Sequence, residues 1–70
     1  MGAFSDAIEA YEAALKLDPT NPKVYFNMAI CYVEMADYPN AISNLETCLR
    51  ISPSFSRAED KLKELKEKAK

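Results

Sequence analysis

The sequence predicts an all-α domain of four antiparallel helices, and three observations predict it. The 70 residues are rich in Ala, Leu, Glu and Lys with a single Gly, a composition that favours helix, and no stretch alternates apolar and polar residues for long, as a half-buried strand would. Pro, Asn, Asp and Ser punctuate the chain between amphipathic segments. The chain also repeats itself at an offset of 34 residues.

The first helix is expected from about Ser5 to Leu17. Ala7, Ile8, Tyr11, Ala14 and Leu15 share one face at helical spacing, and Asp18-Pro19 ends it, because the residue before a proline is pushed toward extended backbone. The second is expected from Pro22 to Met35. Asn21 suits the N-cap, and Pro22 suits the first helical position, where no amide donor is needed. The third runs from Tyr38 to Ile51 behind Asp37 as N-cap and stops at Ser52-Pro53. The fourth runs from Arg57 to the end. Ser56 and Glu59 form a Ser-x-x-Glu capping box, and Ala58, Leu62, Leu65 and Ala69 make a narrow apolar stripe. Connections of two to five residues force neighbouring helices antiparallel. Tyr25, Met28, Ala29, Tyr32, Ala41, Ile42, Leu45 and Leu49 are the expected core.

The repeat is visible when residues 4–19 are laid on residues 38–53. Ala7, Ile8, Glu12, Leu15 and Pro19 meet their identical counterparts Ala41, Ile42, Glu46, Leu49 and Pro53. Phe4 meets Tyr38, Asp6 meets Asn40, Tyr11 meets Leu45, Ala14 meets Cys48, and Lys16-Leu17 meets Arg50-Ile51. A period of 34 residues is that of the tetratricopeptide repeat. The chain resembles that family from Gly2 to about Leu65. Tyr25, Met28, Ala29 and Tyr32 fit the first helix of a repeat. Ala41, Leu45, Cys48 and Pro53 fit the second, and Ala7, Tyr11, Ala14 and Pro19 fit the second helix of an earlier repeat.

The resemblance implies helix-turn-helix repeats of a right-handed α–α superhelix within one domain, 1–70. Residues 5–19 would be the second helix of an incomplete repeat, 22–53 a complete repeat and 56–70 a polar capping helix. It implies a repeat lacking its first helix, as in a fragment or a chain whose Met1 is an imposed start. Ala36 stands where the family usually has Gly; a left-handed backbone there would cost Ala about 1–2 kcal/mol.

The resemblance also implies what the domain does. Members bind other proteins or peptides on a concave surface lined by the first helix of each repeat. Here Lys23, Phe26, Asn27, Ile30, Val33 and Glu34 would line it from the second helix, and Arg57, Asp60, Lys61 and Glu64 from the fourth. The apolar stripe Phe26, Ile30 and Val33 fits either a binding face or one packed on a preceding helix. Some members hold acidic C-terminal peptides of heat-shock chaperones in a carboxylate clamp, built from an Asn in one helix and two basic residues four apart in the next. Asn27, Arg57 and Lys61 match those places, with Arg and Lys interchanged. Asp60 and Glu64 nearby would oppose an acidic ligand. A third expectation is self-association through uncovered faces around Ile8, Tyr11, Leu15, Phe26 and Ile30, which would make the chain a homo-oligomer.

Composition narrows the function classes. An apolar fraction of 49% with 29% charged residues is that of a globular chain rather than a disordered one. The net charge of −2 is too weak to steer the chain to nucleic acid or anionic lipid. Residues 1–50 carry seven acids and three bases, and residues 51–70 four acids and six bases. The basic end alternates sign from Lys61 to Lys68, the pattern of a solvated helix face. No apolar run approaches the ~20 residues of a membrane span, and no signal peptide opens the chain. There is no His, no phosphate loop and no nucleophile elbow, so no enzymatic activity, cofactor or metal is expected. Cys31 and Cys48, without a Cys-x-x-Cys, are expected as buried reduced thiols of a cytoplasmic or nuclear protein.

Overall fold

A computed structural model describes residues 2–68. Four helices follow one another: α1 (Gly2–Leu17), α2 (Pro22–Glu34), α3 (Tyr38–Ile51) and α4 (Ser56–Lys68). Among the described residues there is no strand. Each helix packs chiefly on its neighbours in sequence, α1 on α2, α2 most extensively on α3, and α3 on α4. The Cα atoms span 32 × 30 × 14 Å, a thin slab in which each amphipathic helix covers its apolar stripe with the next.

Capping chemistry explains where the helices start and stop. Asn21 accepts a hydrogen bond from the Lys23 amide at 3.0 Å, and Pro22 opens α2. Asp37 caps α3, accepting from the Asn40 amide at 3.4 Å and from its side-chain amide at 2.7 Å. In the turn before α2, the Thr20 amide and hydroxyl both donate to one Asp18 oxygen, at 3.2 and 3.0 Å, and the Tyr25 hydroxyl donates to the Pro19 carbonyl at 3.1 Å. Between α2 and α3 the Asp37 amide reaches the Tyr32 carbonyl at 2.8 Å and the Ala36 amide the Val33 carbonyl at 2.9 Å. That pair of bonds is a Schellman motif, which demands left-handed backbone at Ala36. Ala36 accordingly has φ 59, a conformation that glycine adopts without penalty and alanine does not.

Three boundaries differ from the sequence expectation. α2 ends at Glu34 rather than Met35, which is its C-cap. α1 starts at Gly2 rather than Ser5; Ala3, the best helix former, favours this extension. α4 starts at Ser56 itself. The carbonyl of Phe55 takes the Ala58 and Glu59 amides at 3.1 and 3.2 Å, so the capping box centred on Ser56 does not form. The Glu59 amide it would have used is already satisfied.

The main core joins Ala29, Ala41, Leu45, Cys48, Ala58 and Leu65 from α2, α3 and α4, all fully buried. A smaller cluster joins Ile8 to Met28 and Cys31 between α1 and α2, and Tyr32 packs against both; Ile8, expected on an uncovered face, is therefore covered by α2. Burying Leu45 or Leu65 contributes roughly 1.5–3 kcal/mol each. Ala29, Ala41, Cys48 and Ala58 are small where helices meet, and a larger side chain would push those axes apart. Of the eight expected core residues, Met28, Ala29, Ala41 and Leu45 are buried, while Tyr25, Tyr32, Ile42 and Leu49 are only half-buried. A chain this short has little interior. Ala69, expected to extend the α4 stripe, lies outside the described residues.

The internal repeat allows the two halves to be compared. Ala41, Leu45 and Cys48 on α3 are fully buried between α2 and α4. Their counterparts 34 residues earlier, Ala7, Tyr11 and Ala14 on α1, are half-buried, because among the described residues α1 packs chiefly on α2.

Candidate protein-binding face

Two neighbours claim most of α2. Tyr25, Phe26, Ala29, Tyr32 and Val33 pack into the main core, and Val24, Met28 and Cys31 pack with α1. What remains is the line Lys23, Asn27, Ile30 and Glu34, at i, i+4, i+7 and i+11. Lys23, Asn27 and Glu34 are exposed and Ile30 is half-covered. This line is the polar edge of a helix otherwise wrapped in apolar contacts, with one aliphatic side chain in its middle.

The sequence also assigned Phe26 and Val33 to this face. Both are half-buried and packed against the main core. Phe26 stacks on Phe55 with ring centroids 5.2 Å apart and planes inclined by 30°. Neither open groove nor a preceding helix accounts for Phe26; the turn before α4 does. The stack ties the middle of α2 to the start of α4, where Arg57 is exposed and Lys61, one turn on, is half-buried. Asp60 and Glu64 are exposed on the same helix. Lys61 Nζ lies 3.6 Å from Glu64 Oε1, and Lys68 Nζ 3.5 Å from Glu64 Oε2. The side-chain amide of Asn27 makes no hydrogen bond among the described residues. It is an unspent donor and acceptor facing water. α2 thus presents an amide and an aliphatic contact along one edge, and α4 presents its cations just after the turn that the Phe26–Phe55 stack holds to α2.

Phe55 escaped the sequence reading. A single aromatic between Pro53-Ser54 and Ser56 has no periodic partner, and only its size hinted at burial. Also missed was an open groove of about 530 Å³ between α1 and α2. Glu9, Glu12, Ala13, Leu15, Lys16 and Met28 line it. Its sequence signal is the spacing of Glu9, Glu12 and Lys16 along one side of α1.

Three groups on α2 and α3 have raised pKa values. Burial pushes the Cys48 thiol up, and burial followed by the nearby Glu34 carboxylate pushes the Cys31 thiol up. Burial, then the charges of Glu12 and Asp37, raises Tyr32. Both cysteines are free and buried. Among the described residues no cluster of His, Cys, Asp or Glu is arranged to hold a metal ion, and no helix is long and apolar enough to cross a membrane.

Comparison with known families and proteins agrees with this architecture. The family described as TPR repeat matches residues 1–35, and the one described as Tetratricopeptide repeat matches residues 22–55. Hsp70-Hsp90 organizing protein 2 of Arabidopsis thaliana is 33% identical over 52 residues, covering 74% of this chain and 9% of that protein. A Cryptococcus neoformans protein named Tetratricopeptide repeat and J domain-containing co-chaperone DNJ1 is 39% identical over 57 residues, 81% of this chain and 11% of its own length. Stress-induced-phosphoprotein 1 of Caenorhabditis elegans is 32% identical over 54 residues, 77% and 17% of the two chains. The chain thus spans about a tenth of the length of most of these relatives. With its 34-residue period, its helical hairpins and these matches, the chain belongs to the tetratricopeptide repeat family.

Proposed function

We propose that this chain is a protein-interaction module of scaffold or adaptor type, binding a peptide or partner protein across α2 and the start of α4. The observation that carries this is the line Lys23, Asn27, Ile30 and Glu34, exposed except for the half-covered Ile30, on a helix whose middle is held to the start of α4 by the Phe26–Phe55 stack. Within the array we read residues 5–19 as the second helix of an incomplete repeat, 22–53 as a complete repeat and 56–70 as a capping helix. The cap reading is supported by the 34-residue offset: Glu59, Asp60, Lys63, Lys66 and Glu67, all exposed, stand where α2 carries Tyr25, Phe26, Ala29, Tyr32 and Val33. Two buried reduced thiols suit a cytoplasmic setting.

The finer reading is a carboxylate clamp of Asn27, Arg57 and Lys61 for the acidic C-terminal peptide of a heat-shock chaperone. Relatives named for organizing Hsp70 and Hsp90, and one named a co-chaperone, support it. So does the chemistry: charge-assisted hydrogen bonds to a carboxylate contribute about 1.5–3 kcal/mol. The test is calorimetry with a synthetic peptide ending in two aspartates, offered with a free or an amidated C-terminus. The free acid should bind at least roughly tenfold more tightly, and Arg57→Ala should remove most of that preference. Equal affinity for acid and amide would reject the clamp and leave a general protein-binding face.

A second reading, association of two copies through α1, is favoured by one observation. Ala7, Tyr11 and Ala14 are half-open where Ala41, Leu45 and Cys48 are closed, and Leu17 is 91% exposed.

A further inference from the structure

Arg57, Lys61, Glu64 and Lys68 form one line along α4, at i, i+4, i+7 and i+11. Glu64 stands between two ammonium groups and reaches both, with one oxygen 3.6 Å from Lys61 and the other 3.5 Å from Lys68. Arg57, at the head of the line, makes no ion pair among the described residues. The three cations are therefore not equivalent. One is open, and two share a resident carboxylate.

We infer that Glu64 is an internal latch on Lys61, a carboxylate of the chain's own that holds the ammonium until an acidic ligand displaces it. The inference rests on the carboxylate-binding reading of Asn27, Arg57 and Lys61. Both contacts are longer than the 2.7–2.9 Å of a close charge-assisted bond, and the side chains of Glu64 and Lys68 are 47% and 57% exposed. Pairs of this kind are weak, so displacement is easy. A ligand carboxylate that takes Lys61 merely replaces one carboxylate with another, and the net gain at that residue is small. Arg57 gives up no ion pair and carries more of the discrimination. Glu64 thereby lowers affinity for acidic chains in general and makes binding depend on groups beyond a single charge.

The test is a double-mutant cycle read with the free-acid peptide ending in two aspartates. It uses wild type, Lys61→Ala, Glu64→Gln and the double variant, with helicity checked by circular dichroism. Glu64→Gln should tighten binding about two- to fivefold, the range of a surface ion pair. Lys61→Ala should weaken wild type less than about threefold, yet weaken the Glu64→Gln protein roughly tenfold, the scale of an unshared charged bond. Glu67→Gln makes the same charge change off the line and should leave affinity unchanged. An equal effect of Lys61→Ala in both backgrounds, or equal tightening by Glu67→Gln, overturns the latch and leaves the peptide site standing. No binding to any of the four proteins overturns the peptide site and the latch together.

Discussion

The ring of Phe26 on α2 lies against the ring of Phe55 in the turn before α4, 5.2 Å between centroids. This contact does two things. It closes the end of the main core, and it fixes the start of α4, with Arg57 two residues on, against the middle of α2. An offset aromatic pair contributes about 0.5–1.5 kcal/mol beyond its area. A cycle of Phe26→Leu, Phe55→Leu and the double variant, followed by urea unfolding, should return a coupling in that range. The single variants should also weaken peptide binding although neither ring need touch the ligand. Additive effects would mean that the rings pack independently and that the stack does not align the two helices.

The turn at Ala36 is a place where the chain departs from what its backbone prefers. The Schellman bonds from Asp37 to Tyr32 and from Ala36 to Val33 hold Ala36 at φ 59. A Cβ in that region is penalised by about 1–2 kcal/mol, and part of the relief from glycine is offset by its greater freedom when unfolded. Ala36→Gly should therefore stabilise the domain by about 1 kcal/mol, a rise in Tm of roughly 4–8 °C at this size. A fall in Tm would show that the Ala36 methyl group makes contacts worth more than the strain.

Much of this fold was legible because punctuation and periodicity agreed. Asn21-Pro22 and Asp37 named the starts of α2 and α3, and both side chains cap as expected. The offset of Pro19 and Pro53 marked the ends of α1 and α3. Less legible was which neighbour covers which side of α2. Its apolar residues run almost all round, and a helical wheel cannot say whether Phe26 faces a groove, a preceding helix or the following turn. That depended on Phe55, which has no periodic context. Ser56 failed for a related reason. A Ser-x-x-Glu pattern is compatible with a cap at Ser56, but the Phe55 carbonyl accepts both amides and starts the helix one residue sooner. Lys23, Asn27, Glu34 and Arg57 entered the candidate face through the family resemblance, and all four are exposed. The ion pairs of Glu64 did not, since spacing permits them without requiring them.

The two thiols give a pH prediction. Burial raises Cys31 and Cys48 in the folded chain, so above the ordinary thiol value the unfolded chain loses protons that the folded chain retains. Stability from this source is complete below about pH 8 and falls as pH rises from about 8.5 through the raised folded values. Urea midpoints should be flat near neutrality and decline above pH 9, and Cys48→Ala should flatten part of that decline. Native protein at neutral pH should resist alkylation at both positions, and unfolded protein should react at both. Rapid native labelling of Cys48 would place it outside the core.

The partly covered face of α1 gives the last prediction. In the second half of the repeat, α2 and α4 together bury Ala41, Leu45 and Cys48, whereas Ala7, Tyr11 and Ala14 remain half-open, flanked by exposed Ala3 and Ala10. Apolar surface gains roughly 25 cal/mol per Å² on burial, so a patch of this kind can help offset the entropy of bringing two chains together. Two copies meeting through α1 would form a closed, symmetric pair. Sedimentation of the chain should then show a species heavier than the monomer that grows with concentration. The variant must spare the core: Phe26 is committed to Phe55, so a charge there would loosen α4 rather than probe the surface. Ala10→Glu with Leu17→Glu falls on exposed positions of α1 and should shift the population to monomer at unchanged helicity. A wild-type chain that stays monomeric at millimolar concentration would mean that the open side of α1 is too small or too polar to hold a second copy.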